Sequence, residues 1–181
     1  MTIPLPPLPP NTVLQQKASN PYHHCWVSAS AGSGKTKVLI DRVLRLLLKD
    51  VAPEKILGLT FTKAAAAEME NRLHTRLKEW FSCSPDQLSK ELESLLGALP
   101  SKSLQQKARL LYPTLLNAGQ SLKIQTIHSF CNTLLSQFPL EAGISPRFRL
   151  INENEREELL SQACLQLFTD LEATTGIGIH M

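Results

Sequence analysis

Apolar positions along the chain recur with two different periods, and the switching between them predicts an α/β protein. Over residues 35–49, Val38, Leu39, Val43, Leu46 and Leu47 fall at helical spacing and form one broad face suited to lying on a sheet. On either side, residues 25–29 and 56–61 read as strands, the second apolar almost throughout, as expected when both faces are covered. This predicts a parallel strand, helix, strand unit. A short helix over 13–19 precedes it and is ended by Asn20-Pro21. Further on, the alanine-rich stretch 64–81 predicts a helix with Met69, Leu73, Leu77 and Trp80 in the core. Residues 85–99 and 101–118, separated by Pro100, read as an antiparallel helical pair. A third strand at 122–125 feeds a helix over 126–138, and after Pro139, Gly143 and Pro146 the residues 148–151 are expected to be extended. Asn152 and Glu155 then form a capping box that opens a last helix, with Leu159, Leu160, Ala163, Leu167 and Leu171 on its apolar side. Residues 176–181 carry no packing pattern, and no internal repeat is found.

Length and composition add bounds. The chain has 181 residues, 43% of them hydrophobic and 19% charged, with a net charge of +3, which fits one soluble domain and neither demands nor excludes nucleic acid. Cys25, Cys83, Cys131 and Cys164 are far apart without metal-ligand spacing, so they are expected to be reduced thiols packed as small apolar groups in a cytoplasmic protein. The leader, residues 1–10, is proline-rich; it is a polyproline ligand or, more simply, a stiff disordered extension, and it lacks the basic start and apolar run of a signal peptide. No stretch is long enough for a membrane helix.

The segment Ala29-Ser30-Ala31-Gly32-Ser33-Gly34-Lys35-Thr36, placed between a strand and a helix, has the spacing of a phosphate-binding loop. Its glycines permit positive φ, so backbone N–H groups converge on phosphate oxygens at the positive end of the following helix. Lys35 would reach the β and γ phosphates of ATP, and the Thr36 hydroxyl would coordinate Mg²⁺. Two further segments, Thr60-Phe61-Thr62-Lys63 and Thr126-Ile127-His128-Ser129-Phe130, also start where a strand ends and a helix begins. Ligands of an open parallel sheet sit at that rim. Hydroxyls, a cation and an aromatic face there suit single-stranded nucleic acid. Phe61 is either a buried end-of-strand aromatic or a stacking platform. His128 has no nucleophile or carboxylate paired with it in the expected order, which favours a DNA-facing role over that of a catalytic base.

Together the three segments resemble motifs I, Ia and Ic of UvrD/Rep-type superfamily-one DNA helicases, and most of all the AddA-type subunit of double-strand break repair. The resemblance runs from about Gln15 to Leu160. It implies a P-loop NTPase (RecA-like) fold, incomplete, with a parallel sheet covered by helices on both faces. Residues 11–140 would form the ATP-binding domain with a helical insertion at about 83–118, and 141–181 would start a helical subdomain. It also implies ATP and Mg²⁺ as cofactors and single-stranded DNA or duplex ends as partners, with a role for Gln15 in reading the adenine edge. Gln16 is a close rival for that role. Ser30 stands where the family more often has glycine, and Lys63 where it often has asparagine.

The family's acidic magnesium- and water-activating pair, arginine fingers, second motor domain and nuclease find no counterpart in the sequence. The chain is therefore expected to be an N-terminal piece with negligible hydrolysis of its own, an unpaired sheet edge, and a need for the rest of a split helicase or an AddB-type subunit. Two other readings stay open. One is a small P-loop kinase, which would need a lid of arginines and would leave the Thr-Phe-Thr and His-Ser-Phe turns without a role; the other is a non-catalytic truncated product.

Overall fold

The computed structural model describes residues 10–28, 30, 32, 34–117 and 122–175. They form helices α1 (Pro10–Ala18) and α2 (Lys35–Leu47), strand β1 (Leu57–Thr60), helices α3 (Lys63–Ser82), α4 (Pro85–Leu96) and α5 (Lys102–Asn117), strand β2 (Lys123–Thr126), and helices α6 (Ile127–Gln137) and α7 (Glu153–Thr175). Two compact units divide within α6, between Asn132 and Thr133.

In the first unit the helices hold the core. Leu44 of α2, Leu73, Leu77 and Trp80 of α3, and Leu88 and Leu92 of α4 are all essentially inaccessible, and Ala108 of α5 joins them. Each helix of the α3 to α5 run begins where a side chain can satisfy its first amides. Thr62 accepts from the Ala65 N–H at 3.1 Å, Ser84 from Gln87 at 3.3 Å with Pro85 in the first turn, and Ser101 from Leu104 at 3.2 Å. Gly97, at φ 78, ends α4 in the left-handed region. The helices of the expected insertion are thus part of the core itself.

Polar groups buried among these helices are matched, except that Arg76 Nε makes no hydrogen bond. The Arg45 guanidinium donates to the Leu95 carbonyl through Nε at 3.1 Å and through Nη2, which satisfies an end carbonyl of α4. Burial lowers its pKa, and Asp41 nearby opposes that shift. Trp80 donates its indole N–H to Glu91 at 2.9 Å, and Arg76 lies 3.3 Å from the same carboxylate. Arg109 reaches back to the carbonyls of Phe81 and Cys83 at 3.1 and 2.6 Å, closing the end of α3.

The sheet of the described residues has two parallel strands, with Leu57 opposite Lys123 and Thr60 opposite Thr126. The expected strand at 25–29 does not form: residues 25–28 join no ladder and are exposed, Trp26 at 94%. Ala29 lies outside the described residues. A strand exists only through a neighbour's hydrogen bonds, and residues 25–28 form no ladder with the outer edge of β1 or of β2. The parallel crossover consequently runs from β1 through α3, α4 and α5 to β2, not from 25–29 through α2. Leu57 and Leu59 remain 44% and 45% exposed, so the sheet is not covered on both faces as expected.

Other expectations are also corrected. Leu39 points outward from α2, which narrows its apolar face. All four cysteines are free of disulfides, but Cys25, Cys131 and Cys164 are exposed and only Cys83 is half-buried, so most are not packed as expected. The leader, apart from Pro10, which opens α1, and residues 176–181 lie outside the described residues.

The second unit contains the capping box anticipated from sequence. The Asn152 side chain accepts from the Glu155 N–H at 2.9 Å, and the Glu155 carboxylate accepts from the Asn152 N–H at 3.0 Å. Arg149 grips the same carboxylate with two bonds, at 2.8 and 2.7 Å. Beyond this start, Leu159, Leu160, Ala163, Leu167 and Leu171 of α7 are all exposed. The apolar side is present, but nothing among the described residues covers it.

Truncating Leu77 to Ala should cost ~2–5 kcal/mol in chemical denaturation, whereas Leu159→Ala should stay within about 0.5 kcal/mol; equal effects would contradict a core closed on α2 to α5. Glu155 titrates at about 2, held below 4.5 first by the Arg149 hydrogen bonds and then by the Asn152 N–H. A depressed carboxylate stabilises fully above 4.5 and loses that contribution as pH falls through about 2. Carboxyl NMR should show that low midpoint, returning toward 4.5 in Arg149→Ala.

Candidate functional site

The loop before α2 has the backbone its glycines anticipate. Gly32 and Gly34 lie at φ 79 and 92, in the left-handed region where a side chain is strained. At Gly34 this conformation starts α2, whose first closing bond runs from the Val38 N–H to the Gly34 carbonyl at 3.0 Å. Because the cap is a glycine, no side chain covers the opening amides of the helix. Lys35 Nζ donates to the Ser30 carbonyl at 2.7 Å, so the ammonium is folded over the loop it closes. Thr36, at the second position of α2, is half-buried. Ala29, Ala31 and Ser33 lie outside the described residues.

Beside the loop is a cleft of about 540 Å³, lined among others by Gln15, Trp26, Gly34 and Lys35. Gln15 is the glutamine that faces the glycine loop: a Cβ at Gly34 would stand 3.0 Å from its Nε2. Gln16 turns the other way, donating to the Ser94 carbonyl of α4 at 2.7 Å. Of the two sequence candidates, only Gln15 shares the cleft with Lys35. These features suit a triphosphate with a base attached: uncapped helical amides and a lysine to meet phosphates, and beside them an amide side chain able to donate and accept.

The second group of predicted residues gathers at the carboxyl ends of β1 and β2. Register fixes this, because Thr60 and Thr126 are direct partners in a parallel pair, and α3 and α6 leave from adjacent points. Thr60 donates to the Thr62 carbonyl at 2.9 Å, and Thr62 caps α3. Phe61 between them is 85% exposed, which removes the buried-aromatic alternative. Lys63 is exposed in the first turn of α3. On the neighbouring turn, Thr126 is buried and its Oγ1 accepts from the Ser129 N–H at 3.1 Å while lying 2.9 Å from the Ser129 hydroxyl. Thr126 therefore shapes the turn and does not itself offer a surface. His128 is exposed, and Ser129 and Phe130 are half-buried.

A groove of about 610 Å³ lies between α2 and α3, lined among others by Lys37, Ile40 and Asp41 of the one and Ala64, Ala67 and Glu68 of the other. Its charges are largely internal, Lys37 pairing with Asp41 at 2.6 Å and Arg72 with Glu68.

Two residues of the site were not anticipated. Trp26 was assigned to a strand but lines the cleft. Arg42 binds four carbonyls, those of Asn20 at 2.7 Å, His23 at 3.0 Å, Pro21 at 3.4 Å and Ala18 at 3.5 Å. The available signal was its spacing, two helical turns after Lys35 and on the same side of α2. Among the described residues no three His, Cys, Asp or Glu side chains come together to hold a metal ion, and no helix is long and apolar enough to cross a membrane.

A glycine loop opening a helix, beside a parallel strand pair with two capped turns at one end, defines a phosphate-loop α/β protein. The chain belongs to the UvrD/REP helicase N-terminal domain family, whose pattern matches residues 11–176. Among curated proteins it is similar to the ATP-dependent helicase/nuclease AddA of Levilactobacillus brevis, at 36% identity over 154 residues, 84% of this chain and 11% of that protein. The protein of the same name from Clostridium beijerinckii is 36% identical over 155 residues, and that from Ligilactobacillus salivarius 34% identical over 152. The chain spans 11% of the length of each of these relatives.

Proposed function

We propose that this chain binds Mg²⁺-ATP and single-stranded DNA as the N-terminal part of an ATP-dependent DNA helicase of double-strand break repair. The observation that carries the reading is that Gly34, Lys35 and Gln15 line one cleft, with both glycines of the loop in the left-handed region. In this reading Gly32, Gly34 and the first amides of α2 cradle the phosphates, together with the neighbouring Ala29, Ser30, Ala31 and Ser33. Lys35 leaves the Ser30 carbonyl for the β and γ oxygens, since a charged acceptor is the stronger partner. Thr36 supplies the protein oxygen to Mg²⁺, which would screen the phosphate charge when bound. Gln15 reads the base edge.

DNA is assigned to the rim. The exposed ring of Phe61 offers a stacking face, Lys63 a cation and Thr62 a hydroxyl, with His128, Ser129 and Phe130 beside them. Thr60 and Thr126 hold the two turns in shape through their hydroxyls. Phosphoryl transfer needs metal, lysine and further charged groups fixed around the leaving phosphate, and here Lys35 and Thr36 alone are assigned. Hydrolysis by this chain in isolation is therefore proposed to be negligible. The exposed Leu57, Leu59 and Trp26 support a companion surface, either the remainder of a helicase or an AddB-type protein, in a cytoplasmic setting.

Replacing Lys35 with Ala should abolish Mg²⁺-ATP binding in a fluorescent nucleotide titration; unchanged affinity would refute the loop assignment. Lys63→Ala should weaken single-stranded DNA binding alike for all sequences and reduce the slope of log K against log salt by about 0.7. A loss confined to some sequences would point to base reading instead.

A further inference from the structure

We infer that Arg42 is the positioning residue for base recognition: it latches the helix that carries Gln15 onto the helix that carries Lys35, and so sets the preference of the cleft for adenine. The inference rests on the proposed nucleotide site and deepens it. The guanidinium leaves α2 two turns beyond the loop and spans the end of α1 and the turn after it. It meets the Ala18 carbonyl, the last of α1, at 3.5 Å, then those of Asn20 at 2.7 Å, Pro21 at 3.4 Å and His23 at 3.0 Å. A cation at a helix C-terminus satisfies orphan carbonyls and the dipole at once.

Gln15 lies in the last turn of that same helix. The turn is closed locally by the Ser19 N–H on the Gln15 carbonyl at 2.9 Å and by the Ser19 hydroxyl on the Gln16 carbonyl at 3.1 Å, with Ser19 itself buried. These bonds keep α1 intact but cannot fix where it sits. The described bonds that tie the turn to α2 are those of Arg42. Gln16 adds a bond to α4 through Ser94 and leaves the Gln15 side of α1 to the latch. In the proposed site the phosphates are held by the backbone of the loop and the start of α2, whereas α1 contributes Gln15, whose Nε2 stands 3.0 Å from where a Cβ of Gly34 would be. Loss of the latch should therefore uncouple base preference from phosphate affinity.

The test is equilibrium binding of Mg²⁺-ATP, Mg²⁺-UTP and Mg²⁺-tripolyphosphate to the full chain and its variants. The wild-type chain should prefer ATP to UTP. Arg42→Met should lose about tenfold in ATP affinity, falling to the UTP level, with tripolyphosphate unchanged. Arg42→Lys should recover part of the preference, since an ammonium can hold one or two of the four carbonyls. Gln15→Ala should match Arg42→Met, and the double variant should lose no more than either, as expected when two residues act as one unit. Retained ATP preference in Arg42→Met would overturn the inference, as would a wild-type chain without base preference. Uniform loss of all three ligands in both Arg42 variants would assign Arg42 to fold maintenance and overturn it too. Failure of the wild-type chain to bind tripolyphosphate would instead sink the nucleotide reading itself.

Discussion

The parallel register that pairs Thr60 with Thr126 is the constraint from which the arrangement of the rim follows. In an antiparallel pair the two following helices would start at opposite ends of the sheet. In parallel, both leave from one end, with their N-terminal amides and positive dipole ends side by side. Each start is then fixed by a threonine cap, Thr62 for α3 and Thr126 for α6, so the residues between strand and helix have little choice of conformation. Phe61 is pushed outward by this geometry: the strand has ended, the helix has not begun, and the cap holds the backbone extended between them.

A parallel pair needs support, and here it comes from helices. Two strands bury little, so the crossover from β1 to β2 carries the core with it: α3 supplies Leu73, Leu77 and Trp80, and α4 and α5 close over them. Most of the polar groups that such packing would strand are consumed locally, by Arg45 on Leu95, Glu91 on Trp80 and Arg109 at the end of α3. The same core includes Leu44 and Leu47 of α2, which anchors the glycine loop from below. Phosphate-loop geometry is in this sense a by-product of helix packing, since the loop can curl only if the helix it opens is held still.

What sequence made legible was what is local. The glycine loop, the Asn152 and Glu155 box, the break at Pro100 and the stripe from Met69 to Trp80 each depend on a few neighbouring residues, and each appears where expected. That residues 25–28 would stay out of the sheet was not recoverable, because strand formation depends on a partner that apolar content does not reveal. Leu39 and the apolar side of α7 failed for a related reason: helical spacing says which residues share a face, not whether anything covers it. The choice between Gln15 and Gln16 lay beyond spacing as well. Adjacent helical residues point about a quarter-turn apart, and only the packing of α1 between the loop and α4 decides which faces which.

Exposed apolar residues occur on most elements among the described residues, and some of them share one element. Leu57 and Leu59 lie on one strand, Trp26 and Val27 on the extended segment before the loop, and Leu159 through Leu171 along α7. Contiguous apolar surface of this kind marks places where other protein packs. The buried core, in contrast, is continuous from α2 to α5. Such a division separates two physical tasks. Holding the curled loop requires only that α2 be fixed, which the helical core achieves with residues near at hand. Extending the sheet requires strands whose hydrogen bonds the described residues do not provide. Nucleotide affinity should therefore need less of a helicase than hydrolysis does, because the first depends on one rigid helix start and the second on groups brought across a completed sheet.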